Sequence, residues 1–139
     1  MVTPELLAAY HATLYQVRHS QGVFTLTTDN PSAELVDLLR ETGSRCAAFI
    51  TACNPYSWPV GDAENARAQR RLASQLRQAG YAAIPAIGLD PAGEWQGEES
   101  FLVPGLELED AKLLGRQYAQ NAILWMGADA VPKLVLLDC

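Results

Sequence analysis

Asn54 and Ser57, set two residues apart around Pro55-Tyr56, come directly after an apolar run from Arg45 to Cys53. Amides and hydroxyls so placed either close side-chain turns that hold the loop in shape or present donors and acceptors to a polar ligand. Asn65 lies eight residues past Ser57, inside a long helical pattern that opens at Asp62. Glu99 stands in the alternating stretch Glu98 to Val103, in line with Phe101 and Val103, whereas Glu98 shares the other face with Ser100 and Leu102. A glutamate among apolar neighbours is partly desolvated and suited to general acid or base work, so Glu99 is the candidate catalytic group. Its structural alternative is a carboxylate bonded to backbone amides or an arginine. Glu98 is expected to face solvent.

Other reactive side chains are weaker candidates. Cys53 ends the apolar run, but no histidine is spaced to activate it. His11 and His19 are eight apart with no further ligand in register, so no metal site is expected. There is no Gly-rich phosphate loop, no C-x-x-C, no H-E-x-x-H and no G-x-S-x-G, and no cofactor is implied. Trp58 and Trp95 fall in loops, where they either pack or wall a pocket. Gln120 and Asn121 mark the junction between a helix and a strand.

These residues need elements to hold them. The run from Arg45 to Cys53, broken only by Thr51 after Cys46, reads as a strand covered on both faces. The helix from Asp62 ends at Gly80. On a 100° wheel it turns Asn65, Gln69, Leu72 and Leu76 inward and Arg67, Arg70, Arg71 and Arg77 outward. Thr3-Pro4-Glu5 starts a first helix whose apolar spacing carries it to about Val17. Val23 to Thr28 alternates as a strand, and Asp29-Asn30-Pro31 is expected to cap a second helix closed by Thr42-Gly43. Tyr81 to Gly88 is a strand in which Pro85 marks an edge or a position off the ladder. A fourth helix spans about Glu107 to Ala119, and two apolar strands, Ala122 to Met126 and Lys133 to Leu137, finish the chain. The expectation is one α+β domain over residues 1–139. It has a mixed central sheet of about five to six strands in a single layer, flanked by about four helices.

The 139 residues suffice for one core, and 19% charged residues make a globular composition. A net charge of −6 disfavours nucleic acid and anionic membrane as partners. Seven carboxylates and no Lys or Arg fall between Asp90 and Asp110. The arginines of the long helix therefore read as a solubilising face. Three cysteines without paired spacing point to a reducing cytoplasm, and no apolar run reaches membrane-spanning length.

Thr51-Ala52-x-Asn54-Pro55-x-Ser57, Asn65, Leu72 to Gly80-Tyr81, Gly88, Trp95, Glu99-Ser100-Phe101 and Gln120-Asn121-Ala122 occur in that order. Over about residues 49–125 this combination resembles a bacterial domain-of-unknown-function family, the one numbered 3293. The resemblance implies characteristic polar positions at Asn54, Ser57, Asn65, Glu99, Ser100 and Gln120, and implies no reaction. The chain departs from the family at Cys53, where relatives carry an aromatic residue. Together these readings lead to a small polar ligand, a metabolite or nucleotide-like molecule, bound by Asn54, Ser57, Asn65, Ser100 and Gln120, with Glu99 as acid or base. The competing reading is a non-enzymatic protein-interaction domain in which the same residues are structural.

Overall fold

The computed structural model describes residues 2–20 and 22–137. Cys139, one of the three cysteines, lies outside them. Helix α1 (Pro4–Ala12) is capped by the Thr3 hydroxyl, which accepts from the Leu6 amide, with proline at the first helical position. The helix stops five residues before Val17. Thr13 turns extended, and the chain continues as strand β1 (Leu14–His19). The expected helix is thus two elements. Tyr15 and Val17 are buried while Leu14 and Gln16 are less so, a period of two that the spacing of Tyr10, Leu14 and Val17 disguises as a helical stripe.

Strand β2 (Gly22–Leu26) returns antiparallel to β1. Helix α2 (Ala33–Thr42) comes next, capped by Ser32 and closed by Gly43 in the left-handed region. Strand β3 (Ala47–Ile50) is buried at every position, as its composition predicts. After a short 3-10 turn at Pro55–Ser57 comes helix α3 (Asp62–Gln78). Strands β4 (Ile84–Leu89) and β5 (Glu98–Pro104), helix α4 (Leu108–Gln117), and strands β6 (Ala122–Met126) and β7 (Lys133–Leu136) complete the order.

All seven strands join one sheet in the order β2-β1-β4-β5-β3-β6-β7, and every pairing is antiparallel. The sheet is antiparallel rather than mixed, and it has seven strands rather than five to six because the helical spacing of the first segment hides β1. Strand β4 lies in the interior rather than at an edge. Its Pro85 lies just past the last β1–β4 pair, Val17 opposite Ala86, so the proline falls where that ladder ends.

The two faces of the sheet carry separate cores. On one, Leu35, Leu38 and Leu39 of α2 pack on Val17, Phe49, Leu102 and Met126. On the other, Leu72 and Leu76 of α3 and Ala111 of α4 pack on Ile50, Val103 and Ile123. Helix α3 turns as the wheel predicts: Gln69, Leu72, Ala73 and Leu76 are buried and the four arginines are exposed. Among the described residues no helix is long and apolar enough to cross a membrane.

Leu72 is fully buried and Arg71 exposed, so the two substitutions to alanine should separate sharply. Leu72→Ala should cost about 3 kcal/mol and Arg71→Ala less than about 0.5 kcal/mol, read from urea denaturation midpoints at constant slope.

Candidate functional site at the end of the third strand

Burial continues past the end of β3 and constrains the loop beyond it. Cys46 through Ile50, Ala52 and Cys53 are all buried, so the polar groups of the succeeding loop must find protein partners as it surfaces. They find them in a dense set of side-chain amides. The Asn54 backbone N–H donates to Asn65 Oδ1 at 2.9 Å, and Asn65 Nδ2 donates back to Asn54 Oδ1 at 2.9 Å. Asn54 Oδ1 also accepts from the Val60 amide at 3.1 Å. Asn65 occupies the first turn of α3, so this reciprocal pair clamps the loop to the helix.

The clamp holds an unfavourable backbone. Asn54, Tyr56 and Ser57 have φ of 48°, 54° and 64°. Left-handed conformations in residues with a Cβ cost roughly 1 kcal/mol or more each and persist where the surroundings impose them. The surroundings here are specific. The Tyr56 amide donates to the Ala119 carbonyl at 2.6 Å, and Asn121 Nδ2 donates to Ser57 Oγ at 3.0 Å. The hydroxyls of Tyr10 and Ser57 share a bond of 3.0 Å, and Gln120 Nε2 donates to the carbonyls of Cys53 and Tyr118.

This loop borders a hollow of about 830 Å³ that reaches around the ends of β3 and β5. Asn54, Ser57, Asn65, Glu99, Ser100 and Gln120 all line it, so the structure brings together every nominated residue. Asn54, Ser57, Asn65, Ser100 and Gln120 also bond to the protein through their side chains, as the structural alternative for these residues expects. Asn65, Ser57 and Gln120 commit hydrogen bonds to the protein, and buried Ser100 donates to the Glu98 carbonyl at 3.0 Å. These groups shape the hollow.

The two acids exchange places. Glu99 is exposed, and it is its backbone carbonyl that accepts from Thr51 Oγ1 at 2.6 Å. Glu98 is the partly buried acid, and its Oε2 accepts from Asn54 Nδ2 at 2.9 Å. Alternation along β5 holds as expected. The apolar face carrying Phe101 and Val103 is covered by α3 and α4, yet that cover ends before Glu99. The opposite face runs from Glu98 and Ser100, which line the hollow with α1 and the loop, to Leu102 in the core under α2. Tyr10, Thr13, Tyr15 and Phe49 also line the hollow, and sequence reasoning misses them. For Thr13 and Tyr15 the one signal is the β1 alternation concealed in the first helical pattern.

Burial raises the Glu98 carboxyl above the ordinary carboxylate value, and the Asn54 bond offsets part of the effect. Burial likewise pushes the Cys53 thiol up to about 11, with the charges of Glu98 and Glu99 adding to the rise. Cys53 is therefore a thiol at neutral pH, the reverse of an activated nucleophile. Its Sγ lies 3.4 Å from the Glu99 carbonyl, to which it donates. His11 is engaged with Thr28, Nδ1 to Oγ1 at 2.9 Å. Among the described residues no three His, Cys, Asp or Glu side chains gather as a metal set.

Stability should respond to the site in two ways. A carboxyl whose pKa is raised by folding stabilises the fold fully below its ordinary value and loses that contribution as pH rises through the raised value. Glu98→Gln keeps an acceptor for Asn54 and removes the buried charge. Its melting temperature should exceed that of the parent at pH 7–8, and the gap should close as pH falls through the carboxylate range. Asn65→Ala strands the Asn54 N–H, leaves Asn54 Oδ1 with the Val60 amide alone, and should cost about 2 kcal/mol in urea denaturation.

A family model described as Protein of unknown function (DUF3293) matches residues 50–123, more than half of the chain. No curated protein and no solved structure matches. The matched span holds Asn54, Asn65, Glu98, Glu99 and Gln120, whereas α1 and β1, with Tyr10, Thr13 and Tyr15, precede it. The chain belongs to the DUF3293 family.

Proposed function

We propose that this chain binds a small polar ligand, a metabolite or nucleotide-like molecule, in the hollow at the end of β3. Glu98 takes the acid or base role that sequence alone suggests for Glu99. The observation that carries this reading is the state of the Glu98 carboxylate. One oxygen is fixed by Asn54, Oε1 accepts no hydrogen bond from the described residues, and no buried side-chain polar atom among them is orphaned. Oε1 is therefore not sealed from solvent, and with Glu98 lining the hollow it can accept from a ligand or exchange a proton with it. A bacterial cytosol is the inferred setting, supported by the free, buried thiols of Cys46 and Cys53.

A second reading, a protein-interaction domain, is favoured by one feature. Tyr56, Trp58 and Trp95 are 62%, 73% and 41% exposed; Trp95 lines the hollow, and Tyr56 and Trp58 flank Ser57, which also lines it. Large exposed aromatics of this kind suit a protein partner.

A thermal-shift screen of polar metabolites against the parent, Glu98→Gln and Glu99→Gln separates these readings. A ligand at 100 times its Kd stabilises by about 2.7 kcal/mol, a shift of several degrees. The ligand reading expects a shift in the parent and in Glu99→Gln that is lost in Glu98→Gln. A shift that survives Glu98→Gln, or none with any compound, overturns it.

A further inference from the structure

The register of three neighbouring strands places one row of residues across the hollow. Tyr15 of β1 stands opposite Gly88 of β4, and Gly88 stands opposite Glu98 of β5. All three lie on the face beneath α1. Adjacent strands are about 4.8 Å apart, so Tyr15 and Glu98 flank a gap of roughly 10 Å between backbones, with no side chain in the middle. Gly88 is not there to permit an unusual backbone, since its φ is not positive. A Cβ at Gly88 would meet the Thr13 methyl at 3.6 Å, an ordinary contact. The fold tolerates a side chain at this position, and its absence leaves a slot between a phenol ring and a carboxylate.

The electrostatics of that slot have one sign. Among the described residues, the charged side chains lining the hollow are Asp62, Glu98, Glu99 and a single cation, Arg70, which is exposed on the outer face of α3. No Lys or His among them lines it. The ion pairs of the described residues are Asp37–Arg40, Glu109–Lys112 and Asp29–Lys133, so Glu98 has no counter-charge within that set. The helix amino terminus that borders the hollow does not offset this, because Asp62 and Glu64 occupy the first turn of α3. Two aromatic rings also line the hollow, Tyr15 and Phe49, of which only 8% and 5% is exposed. Tyr15 meets Phe49 edge-on with centroids 5.1 Å apart, and the Tyr15 hydroxyl is committed to the Tyr10 carbonyl at 2.6 Å. With that hydroxyl engaged, what Tyr15 offers a ligand is its ring.

We infer that the slot over Gly88 accepts a small organic cation, a protonated amine or amidinium on a flat apolar body, whose charge pairs with Glu98 while the body lies against Tyr15 and Phe49. A desolvated carboxylate without a counter-charge is costly, and a ligand cation is the partner that removes the cost. Aromatic faces attract the same charge. A phosphate or carboxylate ligand would meet Glu98 with no base to balance it. This inference rests on the reading of the hollow as a ligand site and narrows it to one class.

Benzamidine and phenethylamine, with 2-phenylethanol, phenylacetate and inorganic phosphate as uncharged and anionic counterparts, are titrated against the full chain by NMR at pH 7.5. The cations should shift amide signals of Gly88, Glu98 and Tyr15 and bind about tenfold more tightly than 2-phenylethanol, the value of one charge-assisted hydrogen bond. Glu98→Gln, expected to fold at least as well as the parent, should abolish that preference. Gly88→Ala should weaken the cations severalfold at an unchanged melting temperature, and Glu99→Gln should leave their binding intact. Equal or tighter binding of the alcohol, phenylacetate or phosphate at these same residues overturns the cation assignment while leaving a ligand hollow. Absence of any shift at these residues with all five probes sinks the assignment and the hollow together.

Discussion

The reciprocal amide pair between Asn54 and Asn65 is the interaction on which the rest of the site depends. One side chain closes on the backbone and on the other side chain at 2.9 Å each way, so a loop and a helix are fixed in register without a charge. That geometry leaves Asn54 Nδ2 aimed at Glu98, whose oxygen it meets at 2.9 Å. Loop shape, helix entry and acid placement therefore share one hydrogen-bonded unit. The left-handed backbone at Asn54 lies inside it, and that at Tyr56 and Ser57 is held beside it by Ala119, Asn121 and Tyr10.

Two features work against stability and coincide in space. The loop stores backbone strain, and Glu98 holds a partly buried charge with no cation beside it. Either would be relieved by small changes, a glycine in the loop or a glutamine at 98. Local costs of this sort gather where a structure is shaped for something other than folding. By contrast, the cores on the two faces of the sheet are conventional, with Leu35, Leu38 and Leu39 on one side and Leu72 and Leu76 on the other.

Much of this architecture is legible in the residues. The long helix, its inward Asn65 and its outward arginines come from a 3.6-residue period, and β3 comes from uninterrupted burial. The loop at 54–57 is legible as a site because polar residues abut a fully apolar strand. Two things are not. Residues 14–17 satisfy helical and strand spacing together over so short a span, and only pairing with β2 and β4 decides for the strand. Glu98 and Glu99 lie on opposite faces of one strand, and alternation says nothing about which face is covered at that end. That depends on where α1 and α3 happen to stop, a tertiary fact. Strand direction is equally hidden, since helices separate β2 from β3, β3 from β4 and β5 from β6, an alternation that resembles parallel crossovers although every pair is antiparallel.

Helix α1 contributes Leu6, Ala9 and Tyr10 to the wall of the hollow, yet none of its residues is fully buried. It is held by a few polar links, among them Tyr10 to Ser57 and His11 to Thr28. A segment anchored so lightly detaches for far less free energy than the sheet beneath it, and does so many times for each global unfolding event. Loosening of α1 would take Leu6, Ala9 and Tyr10 out of one wall, so on that side the hollow is only as firm as a helix that buries none of its residues.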